Sequence, residues 1–573
     1  MKIIAKAVMS LVAMSLSAAT ITVLASEPGI KIEHLGTNNT IVRVDSDSKY
    51  LLLPVQESID DATVKIIVDG KLERTLAVRM AKSKVDYTVP LDLTPYKGHD
   101  LILDVVTSQS RSSVREAKDD ACWNNLAFAD TIDTTNREKY RPIYHHTPLY
   151  GWMNDPNGMV YKDGVWHLCY QWNPYGSKWQ NLSWGQSTSR DLIHWDHQLN
   201  PVVEPDGLGM IFSGSSAIDT ANSAGFGKDA IVSMYTSAGT SQIQSLAWSD
   251  DNGTTYHKYP GNPVITLESE ARDPNMFWND ETKLWTLVLA HALDHEMLIF
   301  TSPDMKEWTL KSAFGKGLGS QECPDLFKLP VEGSDESKWV LLCNINPGGP
   351  FGGSATQYFI GDFDGTTFTP DRDASGNVPT KWMDYGKDHY ATVSFSNAPD
   401  NRRTVIGWMS NWQYAAEVPT MQFRSANTLP REVGLFKGND GQIYASSAPS
   451  PELLSLRGKA VTDVKSIKAG AKARNYNLPS VNDGACEIVM DIEPGRTSDV
   501  TLTLSNHKGE KVVMTYNPAE ETMSFDRRES GVTDFSQDFP AVTVSPTFGK
   551  DSRLSLRIFI DRSSIEVFGN DGR

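Results

Sequence analysis

At 573 residues the chain is long enough for several domains, and 39% apolar with 22% charged residues is the mixture of a folded protein, which excludes wholesale disorder. A formal charge of −17 with a pI near 5.2 excludes a nucleic-acid partner, because a polyphosphate backbone needs an excess of Lys and Arg to displace its counterions. A neutral, hydroxyl-rich ligand fits better, and the 15 Trp and 19 Tyr point weakly the same way, since aromatics serve cores more often than sugar platforms.

The first residues carry Lys2 and Lys6, then an apolar run from Ala7 to Leu24, then Ala25 before Ser26. This is the layout of a secretory signal, so residues 1–25 are read as a signal peptide and the mature chain as exported, periplasmic or extracellular, with no membrane attachment after cleavage. A retained membrane anchor is the alternative, because the run is long enough to span. Five scattered cysteines do not make a disulfide framework, and the 12 His show no ligand spacing beyond the adjacent His145-His146; neither a metal nor a cofactor is expected.

Residues 26–137 are read as an all-β accessory domain with its linker. The run Ala62-Thr63-Val64-Lys65-Ile66-Ile67-Val68 followed by Asp69-Gly70 predicts a strand entering a hairpin. Carbohydrate binding and a structural buttress are both open as its role, the buttress being preferred. Residues 111–140, charged and poor in apolar repeats, read as the linker.

The stretch 138–443 opens with Trp152-Met153-Asn154-Asp155-Pro156-Asn157-Gly158, dense in turn formers. It predicts a rigid turn in which Pro156 pushes Asp155 towards extended geometry and Gly158 permits a reversal. Two further carboxylates sit beside prolines, in Arg272-Asp273-Pro274 and in Glu322-Cys323-Pro324-Asp325. Cys323 is a weaker candidate, as a thiol nucleophile, because no His partner is apparent in the sequence. A phrase also recurs at roughly 50–60 residues: Ser189-Arg190-Asp191 leads to Trp195, Ser249-Asp250-Asp251-Asn252-Gly253 to Tyr256, Ser302-Pro303-Asp304 to Trp308, and Asp364-Gly365 to Phe368. Each places a turn before an aromatic residue, and alternating segments such as Val165-Trp166-His167-Leu168-Cys169-Tyr170 precede them, which predicts a five-bladed β-propeller. The first strand of every blade lines the central channel, so Asp155, Asp273 and Glu322 would reach one mouth from the first, third and fourth blades.

The three acidic motifs, with Gln171-Trp172-Asn173-Pro174, Phe212-Ser213-Gly214-Ser215 and Trp408-Met409-Ser410-Asn411-Trp412 in that order, resemble glycoside hydrolase family 32, which includes invertases, inulinases and levanases. The resemblance runs from about Tyr144 onwards and implies a five-bladed propeller followed by a β-sandwich, here residues 444–573. Cys486-Glu487-Ile488-Val489-Met490-Asp491-Ile492 and Leu554–Asp561 alternate as strands there. The phrase Asp561-Arg562-Ser563-Ser564-Ile565-Glu566-Val567-Phe568 is normally followed by further strands, so the sandwich looks shortened, with an open edge and an exposed core expected.

The resemblance also implies roles. Asp155 would be the nucleophile of a retaining hydrolysis of β-fructofuranosidic bonds, Glu322 the acid/base, and Asp273 a stabiliser gripping ring hydroxyls in the transition state. Turn backbone donors are expected to hold Asp155 ionised, while the charge of Asp155 and partial burial keep Glu322 protonated. Substrate contacts would come from Trp152, Asn154, Gln171, Trp179, Phe212, Ser213, Arg272 and Trp412. Trp179 and Trp412 could instead be core residues, and Gln171 could satisfy a strand end. Where the family commonly has Trp-Gly and Trp-Gly-His, this chain has Trp179-Gln180 and Trp184-Gly185-Gln186, which leaves the outer subsites and the linkage preference open. The implied substrate is a fructan or fructo-oligosaccharide cut in exo mode, with an endo-acting levanase or a non-catalytic fructan-binding protein as alternatives. Oligomeric state is not legible.

Overall fold

The computed structural model describes residues 28–107, 117–135, 137–315, 320–468, 470, 472–477, 482–493, 498–548 and 553–573. The signal-peptide assignment lies outside the described residues.

The chain divides into two compact units at Thr131. The first holds a five-stranded sheet, in the order Ile30–His34, Asn39–Val44, Leu101–Val106, Ala62–Val68, Lys71–Val78, and a three-stranded sheet of Tyr87–Asp92, Tyr50–Val55 and Ala127–Ala129. Ala62, Val64 and Ile66 are buried on alternate positions, as a strand with one covered face requires. Asp69 and Gly70 both take positive φ, 49° and 76°, and close the two-residue hairpin between Val68 and Lys71. The expected linker is corrected in part. Ala127–Ala129 pairs with Tyr50–Leu52, and Cys122 and Trp123 are buried, so this stretch belongs to the first unit. A three-residue strand is too short to show periodicity.

In the second unit five antiparallel sheets follow one another in sequence, and the first strand of each touches the first strand of the next around a ring. These first strands are Gly151–Lys162, Met210–Asp219, Ala271–Asn279, Gln321–Pro330 and Tyr390–Ser394. This is a five-bladed β-propeller. The short strand Phe423–Arg424 pairs in parallel with Gly151–Trp152, joining late sequence to the first blade. The recurring phrase connects the third strand to the outer strand in the first four blades. Its Asp caps the turn: Asp191 Oδ1 accepts from the amides of Ile193 and His194, Asp304 Oδ1 from those of Lys306 and Glu307, and Asp364 Oδ1 from those of Thr366 and Thr367.

The remaining strands form two sheets of a sandwich: Cys486–Ile492, Leu554–Ile560 and Ile565–Gly569 in one, and Val500–Ser505, Lys511–Asn517, Thr522–Asp526 and Val542–Pro546 in the other. Ile492, Met514, Tyr516, Leu554, Leu556 and Ile558 fill the space between them. Phe559 and Phe568 pack with Ile193, Leu429 and Leu453, so the core exposure expected around the final strand is not seen there.

A buried ionic chain ties the sandwich to the propeller. His145 Nδ1 lies 2.8 Å from Asp561 Oδ2 and its Nε2 lies 2.9 Å from Glu566 Oε1. Glu566 also accepts from Arg431 at 2.5 Å, and Arg431 reaches Asp384 at 2.7 Å. Burial opposes the charge on His145, but the two carboxylates outweigh it and hold the imidazolium up to about pKa 9. Burial likewise opposes ionisation of Asp561 and Glu566, yet His145 with backbone donors, and Arg431 with His145, pull them down to about 2.

The raised His145 value gives stability that is full below the unfolded value near 6.5 and lost as pH rises through about 9. The depressed carboxylates give stability present above about 4 in pH and lost as it falls towards about 2. Melting temperature should therefore peak at about pH 5–6.5 and fall on both sides. Replacing His145 with Ala should cost about 3–5 kcal/mol, as breaking a buried pair does, and flatten the alkaline decline in a denaturation series.

Candidate active site

One irregularity recurs in all five blades. Near the start of each inner strand two residues oppose one on the second strand, a β-bulge. Asn154-Asp155 oppose Gln171, and Phe212-Ser213 oppose Thr236. Asp273-Pro274 oppose Leu289, Cys323-Pro324 oppose Cys343, and Ala391-Thr392 oppose Gly407. The residues just before the bulges, Arg272, Glu322 and Tyr390 among them, therefore occupy equivalent positions. In the last three blades the first bulged residue is left-handed although none is Gly: Asp273 has φ 62°, Cys323 42° and Ala391 52°. Such backbone costs about 1–3 kcal/mol per residue and persists where surrounding structure enforces it. Proline suits the second bulged position because its missing N–H leaves no ladder partner wanting.

The expected turn at Asp155 is thereby corrected. Asn154 to Gly158 lie within the strand Gly151–Lys162, and the bulge rather than a reversal aims the carboxylate. Gly158 has a positive φ of 52°, and a Cβ there would lie 2.7 Å from the Trp184 ring, so the position requires glycine.

Asp155 Oδ2 accepts from Ser213 Oγ at 2.7 Å and Oδ1 from Asn154 Nδ2 at 3.0 Å. Asn154 is oriented in turn by Trp152, whose Nε1 donates to Asn154 Oδ1 at 2.7 Å. These donors are side chains, not the turn amides expected. The carboxyl is also shifted the other way, upward, by burial and by the charge of Glu322.

Around the ring, Glu322 Oε1 accepts from Arg272 Nη2 at 2.7 Å and Nε at 3.1 Å, while Oε2 is in short contact with the hydroxyl of Tyr390. Arg272 Nη1 reaches Glu270 at 3.1 Å and Gln242 at 3.3 Å. Asp273 is buried, and its Oδ2 accepts from the Cys323 amide at 3.0 Å. Burial pushes its carboxyl up, Arg272 opposes this, and Glu322 and Asp155 reinforce it. The Cys323 thiol lies 3.5 Å from both Asp155 Oδ2 and Asp273 Oδ2. Burial and the three carboxylates push that thiol far up, which leaves it a neutral donor and a poor nucleophile.

The three acids anticipated from sequence thus couple electrostatically in one mouth. Gln171 is buried opposite the Asp155 bulge, and neither its Nε2 nor its Oε1 finds a hydrogen-bond partner among the described residues. Trp412 stacks on Trp152 with ring centroids 5.8 Å apart and touches Trp408, while Trp179 meets Phe212 edge to face at 5.9 Å. Both Trp179 and Trp412 keep part of their surface open over a packed cluster that contains Trp152 and Trp408. Sequence reasoning missed Tyr390, Trp408, Glu270 and Gln242. Trp408 begins the motif Trp408-Met409-Ser410-Asn411-Trp412; Tyr390 belongs to no such motif, and its signal is the alignment of bulges from blade to blade.

Residues 145–447 match the glycosyl hydrolases family 32 N-terminal domain, and 452–573 match the family's C-terminal domain. The chain belongs to glycoside hydrolase family 32. It is a glycoside hydrolase, and residues 36–144 match a domain of unknown function (DUF4980). It is 42% identical to a levanase of Bacillus subtilis over 469 residues, covering 78% of this chain and 68% of that one. It is 38% identical to an extracellular exo-inulinase of Aspergillus niger over 481 residues, covering 76% and 88%. The fructofuranosidase of Schwanniomyces occidentalis complexed with fructose superposes with a TM-score of 0.67 at 33% identity, over 77% of this chain and 92% of the other.

Since the bulges aim the acids, a β-branched residue at a left-handed position should misdirect them. Ala391→Val should lower stability by about 1–3 kcal/mol and lower activity more than melting temperature alone explains, measured by denaturation and assay in parallel. Glu322→Gln removes a charge that raises Asp155, so the acid limb of residual activity on a substrate with an activated leaving group should move to lower pH.

Proposed function

We propose that this protein is an exported exo-β-fructosidase that hydrolyses β-fructofuranosidic bonds in levan or inulin, and in sucrose, with retention at the anomeric carbon. The observation that carries the reading is the pairing of a hydrogen-bonded, partly open Asp155 with an Arg272-held Glu322 across one mouth. The names of the relatives, a levanase, an exo-inulinase and a Wickerhamomyces anomalus invertase, support the substrate class. Export is supported by the apolar leader and by relatives described as extracellular. No helix among the described residues is long and apolar enough to cross a membrane.

Asp155 attacks the anomeric carbon of a terminal fructosyl unit as Glu322 protonates the departing oxygen. Glu322 then takes a proton from water, which displaces Asp155 and releases fructose. Ser213 and Asn154 hold the attacking carboxylate in line, the positioning that lowers the entropic part of the barrier. Asp273, rigid in its bulge, hydrogen-bonds ring hydroxyls more strongly as positive charge develops. Gln171 offers its unmatched amide to another hydroxyl, and Trp152, Trp412, Trp179 and Phe212 supply apolar faces.

Asp155→Ala should abolish fructose release from levan, inulin and sucrose, with melting temperature little changed; retained turnover would remove Asp155 from the mechanism. Glu322→Ala should lose about 10²–10⁴ in rate on fructans and much less on an aryl fructoside. Chromatography of early products decides the mode: fructose alone marks exo cleavage, and a ladder of oligosaccharides marks the endo alternative.

A further inference from the structure

Three successive blades place Arg272, Glu322 and Tyr390 at the position just before the bulge, and these side chains form one line of contacts. Arg272 and Tyr390 hold different oxygens of the same carboxyl group. Oε1 faces two N–H groups of Arg272, which occupy both its lone pairs and leave no room for a proton. A protonated Glu322 must therefore carry its hydrogen on Oε2, the oxygen in contact with Tyr390 Oη.

We propose that Tyr390 is a positioning residue for the acid/base step, its hydroxyl turning from acceptor to donor as Glu322 passes from acid to carboxylate. The proposal rests on the reading of Glu322 as acid/base. While Glu322 is protonated, its Oε2–H points to Tyr390 Oη. When the glycosidic oxygen arrives, that proton moves onto it, the bond from the anomeric carbon to this oxygen breaks, and Asp155 bonds to the carbon. The Tyr390 O–H then rotates and donates to the newly charged Oε2. In the second half Oε2 takes a proton from the attacking water as the bond to Asp155 breaks, and Tyr390 returns to accepting. Protons and electron pairs balance in both halves without a further reagent.

The surroundings suit a hydroxyl that turns without ionising. Tyr390 is fully buried, packed with Trp408 at 6.3 Å between ring centroids, and held by the bulge that begins at Ala391. Burial, and next the charge of Glu322, push the phenol far above its ordinary range, so it remains a neutral group throughout. The charged or titratable groups facing Glu322 are Arg272 and Asp273 from the third blade, Asp155 from the first, Cys323 beside it and Tyr390 from the fifth. Of these, the phenol is the group in contact with Oε2, and it can both give and accept a hydrogen bond there while staying neutral.

The test compares the wild-type enzyme with Tyr390→Phe and with 3,5-difluorotyrosine introduced at 390, using inulin or levan and an aryl fructoside over a pH range. Tyr390→Phe should lower kcat on the fructan at least about tenfold, a part of what general acid help supplies, and much less on the aryl fructoside, with KM nearly constant. Losing a donor to the carboxylate favours its protonated form, so the alkaline limb of the rate profile should move to higher pH. The fluorinated phenol donates more strongly and should move that limb to lower pH. Opposite movements support the proposal, and a purely structural role predicts neither. Equal losses on both substrates with unmoved limbs, or an unchanged enzyme, overturn it. If Tyr390→Phe does not fold, the direction of the shift in the fluorinated enzyme decides alone. Glu322→Gln measured alongside separates the levels: full activity there refutes the acid/base reading itself, whereas its loss together with a silent Tyr390→Phe refutes only the role of Tyr390.

Discussion

The β-bulge at the head of each inner strand is the constraint on which the site depends. A regular strand alternates its side chains between faces, so neighbouring residues cannot both look into the channel mouth. An extra residue breaks that alternation. It lets Asn154 and Asp155 share a hydrogen bond, and lets Glu322 meet Arg272 while adjacent Cys323 turns its amide and thiol to Asp273. Repeating the device around a ring brings acids from distant sequence within one electrostatic environment. The left-handed backbone at Asp273, Cys323 and Ala391 is the local cost, offset by the packing of the blades behind.

That packing is made of side chains shared between blades. Met276, Leu287 and Leu289 of the third blade pack with Val232, Met234 and Leu246 of the second, and Val288 and Ile299 of the third with Leu341 and Phe359 of the fourth. Movement of one blade would therefore disturb the carboxylates on two sides. The chain from His145 through Glu566 and Arg431 to Asp384 adds a charged tie between propeller and sandwich. Such a tie contributes specificity of docking as much as net stability, because its ions have given up water.

Electrostatics inside the mouth follow from crowding. Arg272 stands beside Asp273 and Glu322, Asp155 feels the charge of Glu322, and burial weakens the help of solvent. The neutral donors Ser213, Asn154, Cys323 and Tyr390 complete the hydrogen bonding without adding charge. A buried carboxylate surrounded by neutral donors remains basic enough to act, whereas one locked in further ion pairs would lose its reactivity.

The sequence by itself determined the β-class, the propeller and the three acids, because each is written locally. Asp191, Asp304 and Asp364 recur in turn phrases with a period, the prolines that follow Asp273 and Cys323 mark irregular backbone, and Asp69-Gly70 declares its hairpin. Only the tertiary structure decided how Asp155 is aimed, which donors it has and which way its carboxyl shifts. Those depend on Ser213 from one neighbouring strand and on Glu322 and Cys323 from another, and on a register that no run of residues announces. Tyr390 shows the difference most plainly: its meaning lies in standing one blade beyond Glu322, and neighbourhood across a ring is a property of the closed fold alone.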